Sequence, residues 1–258
     1  MAKNLLKAGF SVTTAIHRNR APAERLEPLG LTICPSPAEA VKDADVVIGI
    51  LVSDAATLSH FEAPDLAGAI KPGTIFMEMS SCCTETMMEL SQFYKARGVR
   101  VVDAPVSGGS FGAEAATLSI MCGSDDETAI QEVDDILHAV GKSIYNVGKC
   151  GAGKIVKNLN NLLLMLNIRG LAEVYSVAKA EGIDINMLAD VISTSSGNSF
   201  AVFLLRTFTE ERKYGPSFAM NLVLKDLANA LKINDSVPMP LTSCVYQIFK
   251  EDNANGVR

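Results

Sequence analysis

Two side chains that can handle a proton or an oxygen atom stand one helical turn apart near the middle of the chain. The stretch "GKCGAGKIVKNLNN" (148–161) carries Lys157 and Asn161 at positions i and i+4, so a helix that begins here places both on one face. A lysine beside an amide can bind and protonate an oxygen of a small substrate. Lys154, Lys157 and Asn161 also fit the solvated polar face of a helix, and this stretch alone leaves both interpretations open.

The first eight residues of the same stretch come close to a phosphate-binding loop, G-x-x-x-x-G-K-[ST]. Ile155 occupies the place of the hydroxyl residue that binds Mg²⁺ in such loops, and the chain beyond it predicts helices rather than further strands. A nucleotide-triphosphate site is therefore disfavoured. Gly151 and Gly153 indicate instead that the backbone passes close to another group at the start of the helix.

The stretch "DAPVSGG" (103–109) has the composition of an anion-binding turn. It ends a predicted strand with Pro105, after which Ser107, Gly108 and Gly109 offer a hydroxyl and several N–H groups. Ligands of open α/β sheets bind at this carboxyl end of the strands. We interpret the stretch as a candidate carboxylate site, with a tight turn that binds nothing as the alternative.

The stretch "IHRNR" (16–20) closes the first predicted strand with two arginines, Arg18 and Arg20. In a dinucleotide-binding fold this position faces the adenosine ribose, where an acidic residue binds the 2′-hydroxyl of NAD and an arginine accommodates the 2′-phosphate of NADP. No acidic residue follows before Glu24, so the stretch favours NADP if a dinucleotide binds. A solvated loop is the alternative.

The elements that must position these residues fall into two parts. Up to about Val147, β-rich stretches alternate with helical ones, which indicates βαβ units and a largely parallel sheet. The predicted strands are 11–16, 45–51, 73–79, 99–106, 117–123 and 142–147, and the predicted helices among them include 35–43, 54–70 and 84–97.

The second part predicts helices alone. From Lys154 to Glu181 the apolar residues have the spacing of one long helix, and further helices follow. The predicted breaks are Gly182, Gly197 and Gly215-Pro216. The prediction is therefore an α/β domain over 1–149 and an all-α domain over 150–258.

The bulk composition excludes several function classes. The chain of 258 residues has a net charge of −6 and lacks the basic and aromatic stripe of a nucleic-acid-binding protein. Its six cysteines lack metal-ligand spacing, which argues against a metal site and for a reduced cytoplasmic location. No apolar run is long enough for a membrane span, and the first residues lack the pattern of a signal peptide.

The ordered set "MAKNLLKAG", "DAPVSGG", "TLSIM", "GAGKIVKNLNN" and "LKDLANAL" closely resembles the β-hydroxyacid dehydrogenase family. This family includes 3-hydroxyisobutyrate dehydrogenase, tartronate semialdehyde reductase, and reductases of glyoxylate and succinic semialdehyde. The resemblance covers nearly the whole chain and implies a Rossmann domain joined through a long helix to an all-α domain, with the active site in the cleft between them. It also implies NADP or NAD as cofactor, a small carboxylate-bearing substrate, and a homodimer or homotetramer.

The resemblance assigns roles residue by residue. Lys157 matches the catalytic lysine, which donates a proton to the carbonyl oxygen as hydride arrives or stabilises the alkoxide in the reverse direction. Asn161 matches a substrate-binding amide, and the carboxylate-binding turn matches Ser107, Gly108 and Gly109. The matches on the cofactor side are Arg18, Asn19, Leu51, Val52, Ser81 and Lys225. Without the resemblance, Lys225 and Asp226 would be interpreted as a surface charge pair.

The sequence departs from the family pattern at several places. Val52 stands where proline is common, "EMSSCCT" (78–84) replaces an Asp-x-Ser-Thr-x-x-Pro type of stretch, and Ala116 stands where glycine is usual. No G-x-G-x-x-G occurs, and the family's first strand and glycine-rich loop would precede Met1. We therefore expect a truncated form, in which two strands have unpaired backbone groups and the pyrophosphate lacks its N–H cradle.

The leading hypothesis is an NADP-preferring oxidoreductase that interconverts a small 3-hydroxy acid and its semialdehyde or oxo acid. A catalytically impaired or inactive remnant that keeps the fold is the alternative, and the missing glycine-rich loop favours it. Imine reductases share the architecture but usually lack a lysine at the position of Lys157, so its presence favours hydroxyacid chemistry.

Overall fold

The computed structural model describes residues 1–211 and 220–256, and the chain divides into two compact units, Met1–Lys157 and Asn158–Arg258. The first unit alternates strands and helices, whereas the described part of the second is helical. The predicted break at Gly215-Pro216 lies outside the described residues. Within the described residues, no helix is both long enough and apolar enough to span a membrane.

The first unit contains eight strands and nine α-helices that precede the long helix. The strands are β1 Thr13–Ala15, β2 Thr32–Cys34, β3 Val46–Gly49, β4 Ile75–Glu78, β5 Arg100–Asp103, β6 Val106–Ser107, β7 Leu118–Gly123 and β8 Gly141–Gly148. The helices are α1 Ala2–Lys7, α2 Ala21–Glu24, α3 Pro37–Val41, α4 Asp54–Phe61, α5 Pro64–Ala69, α6 Thr84–Lys95, α7 Gly109–Ala115, α8 Glu127–Glu132 and α9 Asp134–Val140.

The strands form two sheets. β1 and β2 pair in parallel as one sheet, and the other six form a second sheet in the order β3-β4-β5-β7-β6, with β8 beside β7. β3, β4 and β5 are parallel to one another, but β7 runs antiparallel to both β5 and β6. The α/β architecture predicted from the sequence is confirmed, and this reversal at β7 is what the alternation of elements did not predict.

The six-stranded sheet is covered on both faces. In β4, Ile75 and Met77 pack into a cluster with Leu5 of α1 and Leu137 of α9, while Phe76 points into a cluster on the opposite face. All four residues of β4 are buried. In a central strand with two covered faces, successive residues are buried rather than alternately buried and exposed, which explains the continuous apolar stretches in the sequence.

Local signals set several helix boundaries. Ser36 caps α3 by accepting the N–H of Glu39 at 3.2 Å, and Ser53 caps α4 in the same way. The predicted helix 54–70 is in fact two helices, because Pro64 has no N–H to continue α4 and begins α5 instead. Strand β2 and helices α7, α8 and α9 were absent from the prediction, since elements this short carry little periodicity.

The second unit is built on the long helix α10, Ala152–Ala180, whose first turns belong to the first unit. The helices that follow are α11 Ile185–Ser193, α12 Phe200–Glu211, α13 Met220–Lys232 and α14 Pro240–Ala254. Leu162 and Met165 of α10 pack with Leu227 of α13 and Phe249 of α14 in one apolar cluster. The predicted all-α second part is confirmed over the described residues.

Candidate active site

Three parallel strands bring predicted site residues to one edge of the sheet. Because β3, β4 and β5 are parallel neighbours, the residues that follow them lie along the same edge. Leu51 follows β3, Ser81 follows β4, and Ser107 ends β6, which continues along β7 beyond the end of β5. This carboxyl edge is where open α/β sheets bind ligands.

Helix α10 begins at this edge and is attached to it through Lys154. The Nζ atom of Lys154 lies 2.6 Å from Oε2 of Glu78 and 2.9 Å from Oδ1 of Asp103, and all three side chains are fully buried. The same Nζ donates to the carbonyl oxygen of Glu78 at 3.0 Å. A lysine enclosed by two carboxylates cannot reach a phosphate. This stretch therefore does not bind a nucleotide triphosphate, although its sequence is similar to a phosphate-binding loop.

Burial and charge oppose each other in this cluster. Burial disfavours the charged ammonium, but the carboxylates of Asp103 and Glu78 outweigh it and raise the pKa of Lys154 above its usual value. Burial also raises the pKa of the Asp103 carboxyl, with Lys154 acting in the opposite direction. The Cys82 thiol lies 3.6 Å from Oε2 of Glu78, and burial raises its pKa, so it is neutral at physiological pH and not a nucleophile.

The two glycines before Lys154 serve contacts within the protein. A Cβ atom on Gly153 would lie 2.4 Å from the carbonyl oxygen of Met121 and 2.8 Å from Oδ2 of Asp103. Gly151 has a φ of +92°, and its N–H donates to the same Oδ2 at 3.1 Å. The close backbone approach predicted from the glycine spacing is therefore an approach to Asp103.

Lys157 and Asn161 follow on α10, and their side chains are not part of a solvated face. Their exposed fractions are 7% and 9%, and that of Lys154 is 0%, so the interpretation of these three residues as a solvated polar face is wrong. Asn161 donates from Nδ2 to Oδ2 of Asp226 at 2.8 Å. Because a carboxylate only accepts, this bond fixes the amide and leaves Oδ1 of Asn161 as an acceptor, which Asn160 approaches at 3.3 Å.

Asp226 is a buried carboxylate beside the predicted site residue Asn161, and the sequence interpretation missed it. It is 9% exposed, and Nζ of Lys225 lies 3.1 Å from its Oδ1, so Asp226 is not half of a surface pair. Helix α13 buries Val223, Leu227 and Ala230, and Asp226 lies on the same side of that helix. The spacing 223, 226, 230 is the signal in the sequence that places this carboxylate on a buried face.

Ser107, Gly108 and Gly109 lie where β6 meets α7. Ser107 is half-buried and pairs with Ser119 of β7, so a short strand rather than an open turn holds it. Gly108 and Gly109 have φ values of +126° and +59°. A Cβ atom on Gly109 would meet nothing within 4 Å, so the backbone conformation alone requires glycine there.

Arg18 and Asn19 lie apart from these residues in the sheet, in the exposed segment after β1. Asn19 accepts the N–H of Ala21 on Oδ1 at 3.2 Å. Arg20 pairs with Glu24 at 2.8 Å, whereas Arg18 takes part in no ion pair among the residues that the structure describes. Of these two arginines, Arg18 is therefore the one whose guanidinium is available to bind an anion.

The segments after β3 and β4 are joined to each other. Leu51 donates its N–H to Oγ of Ser80 at 2.7 Å, so this N–H does not serve a ligand. The neighbouring Val52 is 77% exposed, and Ser81, which follows Ser80, is half-buried. An exposed apolar side chain at a strand end suits the ring of a bound cofactor. Within the described part of the chain, no cluster of His, Cys, Asp or Glu is arranged to hold a metal ion.

Comparison with known proteins places the chain in a family. The family model for the NAD binding domain of 6-phosphogluconate dehydrogenase matches residues 1–148, and the model for the NAD-binding domain of NADP-dependent 3-hydroxyisobutyrate dehydrogenase matches residues 151–258. The chain belongs to the β-hydroxyacid dehydrogenase family. The predicted family, its NAD(P)-dependent oxidoreductase class and its Rossmann fold are thereby confirmed.

Individual members of the β-hydroxyacid dehydrogenase family are similar to this chain over most of their length. The 2-(hydroxymethyl)glutarate dehydrogenase of Eubacterium barkeri is 34% identical over 261 residues, covering 100% of this chain and 86% of that protein. The NAD-dependent L-serine dehydrogenase of Pseudomonas aeruginosa is 32% identical, covering 89% and 79%. The solved structure of Mycobacterium tuberculosis 3-hydroxyisobutyrate dehydrogenase with L-serine has a TM-score of 0.85 at 29% identity, covering 98% and 89%. These relatives share hydroxyacid oxidoreduction but not one substrate.

Proposed function

We propose that this protein is an NADP-preferring oxidoreductase that interconverts a small 3-hydroxy acid and the matching semialdehyde or oxo acid. The observation that carries the proposal is the position of Lys157. It is 7% exposed and lies one turn after Lys154, which attaches the start of α10 to the carboxyl ends of β4 and β5. A lysine near this edge suits proton transfer to a ligand bound there.

Lys157 handles the proton in both directions of the reaction. During reduction its Nζ donates a proton to the carbonyl oxygen, and during oxidation it stabilises the developing alkoxide. The nicotinamide cofactor, when bound, supplies or accepts the hydride. Proton transfer requires Nζ to stay within hydrogen-bond reach of one substrate oxygen, so a well-fixed lysine is favoured over a mobile one.

The substrate carboxylate and hydroxyl are assigned to different groups. The hydroxyl of Ser107 and the backbone N–H groups of Gly108 and Gly109, two successive residues with positive φ, are suited to a carboxylate. Asn161 presents Oδ1, because Asp226 already accepts from its Nδ2. That oxygen is suited to accept a hydrogen bond from a substrate hydroxyl.

The segments after β1, β3 and β4 also offer groups that suit parts of a dinucleotide. Arg18 is exposed after β1 and suits the 2′-phosphate of NADP, with Asn19 beside it. Leu51, Val52 and Ser81 follow β3 and β4 at the ligand-binding edge, and the exposed Val52 offers apolar surface to a ring. Lys225 is assigned to the cofactor as well, as the family resemblance implies.

A homodimer or homotetramer is proposed from the surface of α10. Several apolar side chains on one side of this helix are exposed: Leu159 45%, Leu163 59%, Val174 46% and Val177 64%. An exposed apolar stripe is a feature of association surfaces. Leu163→Glu should therefore convert the assembly to a smaller species in light scattering, and an unchanged mass would contradict the assignment of this face.

The proposed location is the cytoplasm. All six cysteines are free thiols, and five of them, Cys34, Cys82, Cys83, Cys122 and Cys150, are buried or half-buried. Disulfides persist in oxidising compartments and are rare in the cytosol. The absence of any disulfide among these six residues is in keeping with a reducing compartment.

The central test measures hydride transfer by the wild type and by Lys157→Ala. The absorbance of NADPH at 340 nm is followed with glyoxylate, succinic semialdehyde or tartronate semialdehyde, and the reverse reaction with NADP⁺ and L-serine. Because a positioned general acid contributes roughly 10²–10⁴-fold, kcat should fall by that factor in Lys157→Ala. Lys149→Ala, an exposed lysine before the same helix, serves as the control and should keep wild-type activity. Wild-type activity in folded Lys157→Ala would refute the role of Lys157, and a wild type inactive with every substrate would refute the proposed function.

Cofactor preference is tested separately through the arginines after β1. Arg18→Gln should lower kcat/KM for NADPH by about 10-fold or more, the equivalent of one charged hydrogen bond, and leave NADH little changed. Arg20→Gln is the matched control, because Arg20 is already paired with Glu24. Equal losses with the two cofactors, or in the two variants, would contradict a 2′-phosphate site at Arg18.

A further inference from the structure

The buried cluster of Lys154, Glu78 and Asp103 has no place in the proton and hydride transfer described above. Its three side chains are fully buried, and it contains two acidic groups for one ammonium. Burying charges is unfavourable even when they are paired, and apolar side chains of similar size would stabilise a core at least as well. The cluster therefore calls for a role other than stability.

The cluster fixes the first turn of α10. Oδ2 of Asp103 accepts the N–H groups of Gly151 and Lys154, each at 3.1 Å, which satisfies donors that a helix start leaves unpaired. Oδ1 of the same carboxylate pairs with Nζ of Lys154. Gly153 lies so close to Met121 and Asp103 that no Cβ atom fits. The helix start is thus held by its backbone and by a side chain against the end of β5.

The cluster also reaches the segments assigned to the cofactor. Both carboxylate oxygens of Glu78 accept the N–H of Ser80 at 3.1 Å, and Oγ of Ser80 accepts the N–H of Leu51 at 2.7 Å. The carbonyl oxygen of Glu78 accepts from Lys154 and from the N–H of Ala104. One continuous network therefore joins the residues after β3, β4 and β5 to the start of α10.

From this network we infer that Lys154 is a positioning residue for Lys157. Lys154 touches neither substrate nor cofactor. It locks the first turn of α10 to the last residues of β4 and β5, and so sets where Nζ of Lys157, three residues later, lies relative to the groups at the strand ends. This inference rests on the proposed catalytic role of Lys157. If Lys154 positions Lys157, loosening the buried cluster should lower the rate of the chemical step more than it weakens the binding of substrate or cofactor.

The test loosens the cluster without changing its net charge. Glu78→Gln/Lys154→Gln removes one negative and one positive charge, and the glutamine side chain at 154 is one atom shorter than that of lysine, so it cannot keep both contacts. Because misplacement of a reacting group by about 1 Å can lower a rate by about 100-fold, kcat should fall by roughly 10- to 100-fold. The KM for the substrate should stay within about threefold, since the groups assigned to its carboxylate and hydroxyl are unaltered, and the KM for NADPH should change less than kcat. Lys149→Gln is the matched control and should behave as wild type.

Native-state hydrogen exchange without cofactor supplies a second measurement. The amides of residues 151–157 should exchange faster in the double variant, because two of them donate to the Asp103 carboxylate, which loses its ion pair with Lys154 in that variant. The single variant Glu78→Gln keeps Lys154 and Asp103, and should show smaller changes in both exchange and kcat. It decides the question if the double variant does not fold.

The outcomes separate this inference from the proposed function. Faster exchange in residues 151–157 with wild-type kcat would show that the cluster is only structural and would overturn the positioning role. A fall in kcat/KM that arises from KM alone would overturn it as well. If Lys157→Ala is fully active or the wild type transfers no hydride, the proposed function fails instead, whatever the exchange rates show.

Discussion

Replacing Ala116 by glycine should stabilise this protein. Ala116 follows α7 with φ +57° and ψ +38°, and among the described residues it is the only one other than glycine with a positive φ. The left-handed conformation costs a residue with a Cβ atom roughly 1–2 kcal/mol. Glycine loses about 0.5–1 kcal/mol through the greater freedom of its unfolded chain. The difference predicts a net stabilisation of about 0.5–1 kcal/mol at the position where the sequence departs from the family's usual glycine.

The neighbouring alanine provides the matched control. Ala115 is the last residue of α7, and its φ is not positive, so Ala115→Gly should lower the free energy of unfolding by about 0.5–1 kcal/mol. Thermal unfolding followed by circular dichroism measures both changes. For a chain of this size, Ala116→Gly should raise the Tm by about 1–4 °C and Ala115→Gly should lower it by a similar amount.

The two variants differ only in which of two adjacent alanines becomes glycine, so composition and helix propensity are nearly matched. Opposite shifts in Tm would isolate the backbone conformation at Ala116 as the cause. A Tm for Ala116→Gly at or below that of the wild type would refute the reasoning. Shifts of the same sign in both variants would do so too, because they would show a general effect of glycine at the end of α7.

Two further predictions concern stability. Gly153→Ala should lower the free energy of unfolding by about 1–3 kcal/mol, because its Cβ atom would overlap the carbonyl oxygen of Met121. In the control Gly68→Ala, the new Cβ atom lies in a helix with nothing within 4 Å, so the free energy of unfolding should rise slightly. Equal Tm shifts in the two variants would contradict this prediction. Hydrogen bonds from Thr128 and then Arg100 lower the pKa of Asp126 to about 2 from 3.8, so its contribution to stability is complete above pH 3.8 and is lost as the pH falls through about 2. The destabilisation by Asp126→Asn in urea titrations should therefore be full at pH 6 and shrink below pH 3.8, and a constant difference would contradict the lowered pKa.

Much of the fold followed from local signals in the sequence. The β-rich stretches between helical ones predicted most strands of the larger sheet, and the spacing of apolar residues after Lys154 predicted the long helix α10. The short strand β2 and the antiparallel direction of β7 did not follow, because two or three residues carry no period and strand direction depends on partners distant in sequence. The domain limits at 149 and 150, the site roles and the preference for NADP stay predictions.

The candidate site divides in the same way. Lys157 and Asn161 were recognisable from their spacing and from their likeness to the family, since one turn of helix determines that they share a face. Asp226 was not recognised, because its neighbour Lys225 made it look like half of a surface pair, although its spacing from Val223 and Ala230 places it on the buried face of α13. The hydrogen bond from Asn161 then shows that its carboxylate is an acceptor.

By itself, the sequence determined the family, the division into an α/β part and a helical part, and the identity of the lysine proposed to transfer a proton. These properties depend on residue types at short spacings, which a chain carries before it folds. Only the tertiary structure decided the role of Lys154, because Glu78 and Asp103 lie 76 and 51 residues before it in the chain and meet it only where β4 and β5 end side by side. The glycine-rich stretch that resembles a phosphate-binding loop in the sequence is, in the folded protein, the segment that attaches the start of α10 to the ends of β4 and β5.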